Sequence, residues 1–253
     1  MEILFLGTGT SHGIPVIGCA CATCTSASEK NKRLRSSILV TVNDRCILID
    51  TSIDFRQQSL RYRIERVDAV LFTHHHVDHI FGLDDTRVFN KMYKKKIPCY
   101  AGRETTQKLK QIFSYIFDYP DIPGGIPMLE FTTVDDRPFD VLGTQVIPIE
   151  ILHGTMPINA YRIGNAIYAT DCSSIPDRSM EKFRNADILI LDCLRIRKHP
   201  THFNLEQALS VAQKIGAKQT YFTHMSHEIE HEAVTKSLPD GIALAYDGLK
   251  LII

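Results

Sequence analysis

The sequence predicts an α/β fold with two similarly organised halves. Each half begins with β-prone segments joined by short turns and continues with strands that alternate with helical segments. Several of these strands end at a histidine or an aspartate, and strand ends are a common place for ligands in α/β proteins. No segment of linker composition separates the halves. We therefore expect residues 1–253 to form one domain with a pseudo-repeated layout.

In the first half, residues 2–6 form a strand that runs into a glycine-rich turn. The β-prone runs 36–42 and 45–50 flank Asn43-Asp44, which predicts a β-hairpin. The next predicted elements are a helix at 54–64, a strand at 68–72, a helix at 84–95, a strand at 97–101 and a helix at 103–117. The stretch 115–127 is rich in aromatic residues, proline and glycine, so it could be a lid or a plain surface loop.

The second half becomes β-prone from about residue 129. A strand at 145–152 ends at His153, and Gly164-Asn165 predicts a hairpin between 158–163 and 166–170. The last three predicted elements are a strand at 187–191 that leads to Asp192, a helix at 204–215 capped by Asn204, and a strand at 219–223 that ends at His224.

The composition excludes several classes of function. Lys+Arg and Asp+Glu both number 29, so the formal net charge is zero, and nothing global favours binding to nucleic acid or to a membrane surface. No apolar run reaches the roughly 18 residues of a membrane helix, and residues 1–7 lack the features of a signal peptide. The seven cysteines, an odd number, favour a reducing compartment with thiolate–metal chemistry, so we expect a cytoplasmic protein.

The segment Thr73-His74-His75-His76-Val77-Asp78-His79 contains four histidines and one aspartate and follows a predicted buried strand. Imidazoles and carboxylates are the usual ligands of zinc and similar divalent ions. His74 and His76 can point the same way from an extended segment. Asp78 and His79 can face a second point if a helix begins there. The pattern therefore predicts two metal ions side by side, with His75 pointing away.

A second motif lies in the loop at about 18–30, where Cys19, Cys21 and Cys24 have the spacing Cys-x-Cys-x-x-Cys. Three thiols at this spacing predict three ligands of a tetrahedral structural zinc, whose fourth ligand must come from elsewhere in the chain. The other four cysteines lie in or beside apolar runs, where a cysteine is usually a small core residue.

The residues at the strand ends complete the dinuclear site. One metal ion could bind His74, His76 and His153, and the other Asp78, His79 and His224. Asp171 is then free to bridge the two ions, and a bridging hydroxide could serve as the nucleophile. Asp50 also ends a strand, where it could orient a ligand histidine or cap the following helix.

This ligand set resembles that of the metallo-β-lactamase fold, and the resemblance covers the whole chain. Gly7-Thr8-Gly9-Thr10, the cysteine motif and the segments 199–204 and 223–227 resemble the PhnP-type branch, the phosphoribosyl cyclic phosphodiesterases and their relatives. The resemblance implies a four-layer αβ/βα sandwich with two mixed β-sheets. It also implies that His227 completes the structural zinc site and that His202 is the catalytic acid, with Asp78 as a further catalytic residue. If His224 and His227 lie on one helical turn, one can face each site.

The leading hypothesis is a phosphodiesterase with two zinc or manganese ions that acts on a small, cyclic or otherwise strained phosphodiester. One alternative is a tRNA 3′-processing nuclease of the tRNase Z type, but the sequence has no long basic insertion that could grip RNA. The other is a non-catalytic accessory protein of the PqqB type. The resemblance favours a homodimer as well.

Overall fold

The computed structural model describes residues 1–118 and 125–253. The first strands in chain order are β1 (Glu2–Gly7), β2 (Ser37–Val42), β3 (Arg45–Ile49), β4 (Ala69–Phe72), β5 (Ile97–Gly102), β6 (Leu129–Val134) and β7 (Phe139–Val141). They are followed by β8 (Thr144–His153), β9 (Met156–Ile163), β10 (Ala166–Ala169), β11 (Ile188–Asp192), β12 (Gln219–Thr223), β13 (Ile242–Leu244) and β14 (Lys250–Ile252).

These strands form two seven-stranded sheets, with the orders β14-β1-β2-β3-β4-β5-β6 and β13-β12-β11-β10-β9-β8-β7. In the first sheet, β14, β1, β2 and β3 pair antiparallel, and β3 to β6 pair parallel. In the second sheet, β7 to β10 pair antiparallel and β10 to β13 pair parallel. Both sheets are therefore mixed, and each half of the chain supplies the same sequence of pairings.

The helices in chain order are α1 (Ala22–Thr25), α2 (Phe55–Tyr62), α3 (Val77–Ile80), α4 (Arg87–Tyr93), α5 (Arg103–Ile112), α6 (Ser114–Asp118), α7 (Asp177–Met180), α8 (Leu205–Ile215) and α9 (His231–Thr235). Short 3₁₀ turns lie at Glu29–Asn31, Phe81–Thr86 and Glu181–Phe183. Within residues 1–118 and 125–253, none of these helices has the length and apolar character that a membrane crossing requires.

Side chains alternate between the two faces of each sheet, so the buried apolar residues fall into three clusters. One face of the first sheet packs against the second sheet, through residues such as Phe5, Ile47 and Tyr161. The other face of the first sheet packs under Phe55 of α2 and Leu109 of α5. The outer face of the second sheet packs against α8 and other segments. The order helix, sheet, sheet, helix confirms the predicted four-layer αβ/βα sandwich.

Most predicted strands are confirmed, and the Asn43-Asp44 hairpin turns through positive φ values of 50° and 56°. The predicted single helix at 103–117 is wrong, because the chain breaks at Phe113 and continues as α6. The predicted helix at 84–95 begins as a 3₁₀ turn before α4. Residues 119–124, which belong to the stretch interpreted as a lid or surface loop, lie outside the described residues.

Candidate functional site

Seven predicted ligand side chains converge at one edge of the two sheets. His74 and His76 follow β4, Asp78 and His79 lie on α3, and His153 ends β8. Asp171 follows β10 and His224 follows β12. The two halves of the chain therefore contribute to one site. His75 is not among the clustered ligand atoms, and the charges that influence its pKa include Glu104 and Lys108 of α5.

The backbone at this edge is unusual in three places. Asp50, Asp171 and His224 all follow strands and have positive φ values of 64°, 56° and 59°. Non-glycine residues rarely adopt this left-handed conformation, and such residues concentrate at functional sites. The turn at each position directs a side chain back across the end of its sheet, which a strand that simply continued would not do.

Asp171 lies at the centre of the group and is buried. Its Oδ1 is 3.2 Å from Nε2 of His79, and its Oδ2 is 3.3 Å from Nε2 of His224 and 3.9 Å from Nε2 of His74. Asp78 Oδ2 lies 3.4 Å and 3.6 Å from the same nitrogens of His79 and His224. The two carboxylates therefore share two imidazoles, and Asp171 also reaches toward a third.

His74, His76 and His153 form a second group of imidazoles. Their ring centroids are separated by 4.6 Å for His74 and His76, 5.1 Å for His76 and His153, and 5.7 Å for His74 and His153. His74 is buried, whereas the side chain of His76 is exposed at the rim. Asp78, His79, Asp171 and His224 have ligand atoms within 4.8 Å of one another, whereas His74, His76 and His153 form a looser group of rings beside them.

The Nε2 atoms of His74, His79 and His224 are buried and have no hydrogen-bond partner in the part of the chain that the structure describes. Unpartnered buried polar atoms are costly, so they indicate a ligand. Imidazole nitrogens with two carboxylates are the donor set that zinc and manganese bind. The residues present therefore fit a pair of divalent cations.

The opposite ring nitrogens of His74, His79 and His153 are held by neighbouring groups, whereas Nδ1 of His224 has no hydrogen-bond partner in the described part of the chain. Nδ1 of His79 is 2.7 Å from Oδ2 of Asp50, which also accepts a hydrogen bond from the Thr73 hydroxyl. Nδ1 of His153 lies 2.9 Å from the carbonyl of Thr201. Such contacts fix the ring and leave Nε2 for a metal. For Asp50, the orienting role is the one observed, since α2 begins after Asp54.

The protonation equilibria suit cation binding. Burial lowers the pKa of His74 well below its ordinary value and also lowers the pKa of His76 and His153, which favours the neutral form of these imidazoles. For His79, burial opposes the charge, but the carboxylates around it, Asp171 first, raise the pKa well above its ordinary value. A cation among these carboxylates would compete with that proton.

His202 lies beside the convergent ligands. Its Nδ1 is 3.1 Å from Oδ1 of Asp192, and its ring stacks on that of His224 with a centroid separation of 4.9 Å. Burial is the main influence that lowers the pKa of His202. The residue borders a cavity of about 290 Å³ whose wall also includes Arg195 and His199.

Asp192 is a residue whose role was missed from the sequence. It ends β11 and is fully buried, and its carboxylate also accepts hydrogen bonds from the backbone N–H groups of Phe203 and Asp171. It therefore ties His202, beside the cavity, to the backbone of Asp171 at the centre of the site. The available signal was its place at a strand end, which it shares with Asp50.

The cysteine motif forms a second cluster. Nδ1 of His227 lies 3.2 Å from Sγ of Cys19 and 3.6 Å from Sγ of both Cys21 and Cys24. A tetrahedral zinc site with ligand bonds near 2.2 Å has edges of about 3.6 Å. The four atoms thus have the spacing of a tetrahedral zinc site. The part of the structure that is described brings all four predicted residues together.

The predicted helical turn between His224 and His227 is wrong. This segment lies between β12 and α9 and has neither helical nor strand structure, apart from an isolated bridge at Met225. The two histidines diverge because the backbone turns at His224, where φ is 59°. The expected arrangement of the two side chains is still observed. The ring of His224 faces the ligands around Asp171, and the ring of His227 faces the cysteines.

Known proteins that are similar to this chain identify its family. The family model of the beta-lactamase superfamily domain matches residues 45–225, so the chain belongs to that superfamily. It has the metallo-β-lactamase fold. Within this class it is a PhnP-type protein: a diphosphatase from the PhnP family is 45% identical, with a TM-score of 0.93 over 99% of this chain and 96% of that one.

Two further relatives differ in length or identity. An octanoyltransferase of Porphyromonas gingivalis is 38% identical over 100% of this chain, but the chain spans only 52% of that protein. Zinc-bound PqqB from Methylobacterium extorquens is 21% identical, with a TM-score of 0.78 over 100% of both chains, and supports the fold alone. Together with the PhnP-family match, the superfamily match makes this chain a PhnP-type protein of the metallo-β-lactamase fold.

Proposed function

We propose that the protein hydrolyses small phosphodiesters with the aid of two divalent cations, zinc or manganese. His74, His76 and His153 would hold one cation, and Asp78, His79 and His224 the other. Asp171 would bridge them. When bound, such cations acidify water and stabilise negative charge on phosphoryl oxygens. A third cation, a structural zinc, would be held by Cys19, Cys21, Cys24 and His227.

The observation that carries this proposal is the buried group of ligand atoms around Asp171. The three Nε2 atoms without hydrogen-bond partners lie between 3.2 and 3.9 Å from its carboxylate oxygens. These separations are mostly longer than strong charge-assisted hydrogen bonds but suit neighbouring ligands of one cation. Asp78 on the other side favours a site for two ions over a site for one.

His202 would supply the proton to the leaving oxygen. Asp192 engages Nδ1 and so fixes the orientation of the ring, which leaves Nε2 as the nitrogen that can meet a substrate. The ring borders the cavity, where a substrate anion would stabilise its protonated form. A positioned general acid of this kind typically accelerates a reaction by about 10²–10⁴-fold.

A second candidate is hydrolysis of a diphosphate linkage, favoured by the 45% identity with a diphosphatase of the PhnP family. The phosphorus of a P–O–P linkage resembles that of a phosphodiester, and the same ligand set would serve both reactions. The leaving groups differ, because phosphate leaves as a stable anion whereas an alcohol needs a proton. The extent to which turnover depends on His202 therefore discriminates between phosphodiester hydrolysis and diphosphate hydrolysis.

The test compares three substrates: a bis-aryl phosphodiester, a cyclic phosphodiester whose two ester oxygens are both alkyl so that an alkoxide must leave, and a P¹,P²-disubstituted diphosphate. We expect wild-type turnover on the diesters. In His202→Ala, turnover should fall by about 10²-fold or more when the alkoxide leaves, and by less when a stabilised aryloxide leaves. Metal content should stay unchanged.

His75→Ala is the matched control, since this histidine belongs to the same motif but lies near α5. It should keep most of the turnover. Cleavage of the diphosphate alone would replace the phosphodiester proposal with the second candidate. Full metal loading without turnover on any of the three substrates would favour the accessory role instead. A homodimer and a cytoplasmic location also remain predictions.

A further inference from the structure

Arg33 is a fully buried arginine, with 1% of its surface exposed, and it lies outside both ligand sets. No carboxylate lies within salt-bridge distance of it in the described part of the chain. Burial of a guanidinium ion without a direct ion pair is costly, so its hydrogen bonds must compensate. Those hydrogen bonds therefore indicate what the residue does.

The guanidinium binds two backbone carbonyls that bracket His227. Nη1 donates to the carbonyl of Ser226 at 3.0 Å, and Nη2 donates to that of Ile229 at 2.7 Å. Both carbonyls belong to the irregular segment 224–230, which carries His224 at one end and His227 in its middle. This segment lacks the repeating hydrogen bonds of a helix or strand, so side-chain contacts must help to fix its path.

Arg33 also connects this segment to the cysteine loop. Nη2 contacts Oδ1 of Asn31 at 3.3 Å, and the Asn31 amide donates to the hydroxyl of Ser26 at 3.2 Å. Oδ1 of Asn31 accepts a further hydrogen bond, at 2.9 Å, from the backbone N–H of His231. The contacts thus run from the loop after Cys24 to the residues that follow His227.

The glycine-rich turn packs directly on this residue. The backbone of Arg33 makes two hydrogen bonds of 2.8 Å with Ile14. A Cβ atom added to Gly9 would lie 2.9 Å from Cβ of Arg33, closer than side chains normally approach. Gly9 itself bridges to Met225, the neighbour of His224. Arg33 is therefore enclosed between the turn and the segment that carries both histidines.

We propose that Arg33 is a positioning residue that couples the two metal sites by fixing segment 224–230. Its two bonds set the separation of the Ser226 and Ile229 carbonyls, so that His224 faces Asp171 while His227 faces the cysteines. The proposal rests on the metal ligation proposed above. The planar guanidinium holds its N–H donors in a fixed arrangement and can bind two carbonyls at once. The lysine ammonium is a compact charge without this fixed geometry.

Arg33→Lys tests this role, because it keeps the charge and the aliphatic stem but loses the fork. We expect Cys19, Cys21 and Cys24 to be alkylated by iodoacetamide about ten-fold faster in the presence of a zinc chelator, as measured by peptide mass spectrometry. Metal content at the dinuclear site should fall as well. Asn31→Ala, which removes one partner of the guanidinium, should give a smaller change in the same direction.

Leu189→Ala is the control for a merely structural effect, since it truncates a buried side chain in the core of the second sheet. At a similar loss of thermal stability, it should keep the wild-type alkylation rate. The proposal is overturned if Arg33→Lys and Asn31→Ala lose stability but keep wild-type alkylation rates and full metal content. The alkylation assay uses no substrate, so its result does not depend on whether phosphodiesters are hydrolysed.

Discussion

The proposed dinuclear centre and the cysteine cluster are assembled in opposite ways. The dinuclear centre takes its side chains from strand ends and a short helix that range from His74 to His224 along the chain, and both sheets contribute. The cysteine cluster takes three of its four side chains from a single loop between Cys19 and Cys24. The first is mostly buried and the second is partly exposed.

This difference shows what holds each site in shape. Around the proposed dinuclear centre, buried carboxylates hold some of the rings, such as Asp50 for His79 and Asp192 for the adjacent His202. Around the cysteine cluster, local backbone does much of this work, as in the hydrogen bond from the Val16 N–H to Sγ of Cys24. Disturbance of the scaffold should therefore damage catalysis, whereas disturbance of the loop should mainly reduce stability.

The largest effect is expected from Asp171→Asn, which removes the central negative charge of the dinuclear centre. We predict a loss of kcat/KM of about 10³-fold or more, because the carboxylate is proposed to bridge both cations. Initial rates on a bis-aryl phosphodiester measure this. Asp136→Asn, at an exposed surface position, should match the wild type. Wild-type kcat/KM in Asp171→Asn would contradict the proposed bridging role.

A smaller effect is expected from Asp50→Asn, which acts through His79. The amide would no longer stabilise the ring as the carboxylate does at 2.7 Å, so affinity for the catalytic cations should fall by about 10–100-fold. Competition with a chelator of known affinity measures the change. If metal affinity were unaltered, Asp50 would serve the backbone of Thr73 alone.

Cys21→Ser should distinguish the roles of the two sites most clearly, because it should affect stability more than turnover. Loss of the structural zinc should lower the thermal midpoint by roughly 5 °C, through the loss of a cross-link between distant segments, while turnover falls less than about ten-fold. Differential scanning calorimetry and initial rates give the two values. A fall in turnover as large as that of Asp171→Asn would show that the sites are not separable.

The smallest effect on activity is expected at Asp247, whose carboxylate binds Thr8 and Leu34 in the scaffold between the sites. Burial raises the pKa of Asp247 to about 7. Between its unfolded value of about 3.9 and this value, the folded state binds more protons, so stability falls as the pH rises. From pH 5 to pH 8 this group should cost on the order of a few kcal/mol.

Asp247→Asn resembles the protonated carboxyl and should remove that part of the pH dependence. Urea unfolding at pH 5 and pH 8 measures it, with Asp136→Asn as the control that keeps the wild-type slope. A slope in Asp247→Asn equal to that of the wild type would show that the carboxyl does not titrate in this range.

The proposed metal ligands could be predicted from the sequence, but the residues that hold them in place could not. The seven residues proposed for the dinuclear site and the three cysteines could be singled out because few residue types bind divalent metals and because strand ends could be located. Asp192 resembled any aspartate at the end of a strand, and Arg33 resembled a surface cation. Their roles depend on burial and on contacts with distant segments, which no local pattern encodes.

The backbone turns could not be predicted from local sequence patterns either. The left-handed conformation of His224 cannot be read from its residue type, so a helical turn was predicted where an irregular segment occurs. Likewise, the break at Phe113 depends on packing, since no proline or glycine marks it. The resemblance to known families supplied His202 and His227, which spacing alone would not have identified.

The most direct test of two distinct metal sites is the metal content per chain, measured by inductively coupled plasma mass spectrometry. Wild type should contain about three ions, Cys21→Ser about two, and Asp171→Asn should retain about one ion, bound by the cysteines. Loss of every metal ion in either variant, or no more than about one ion in the wild type, would contradict the account.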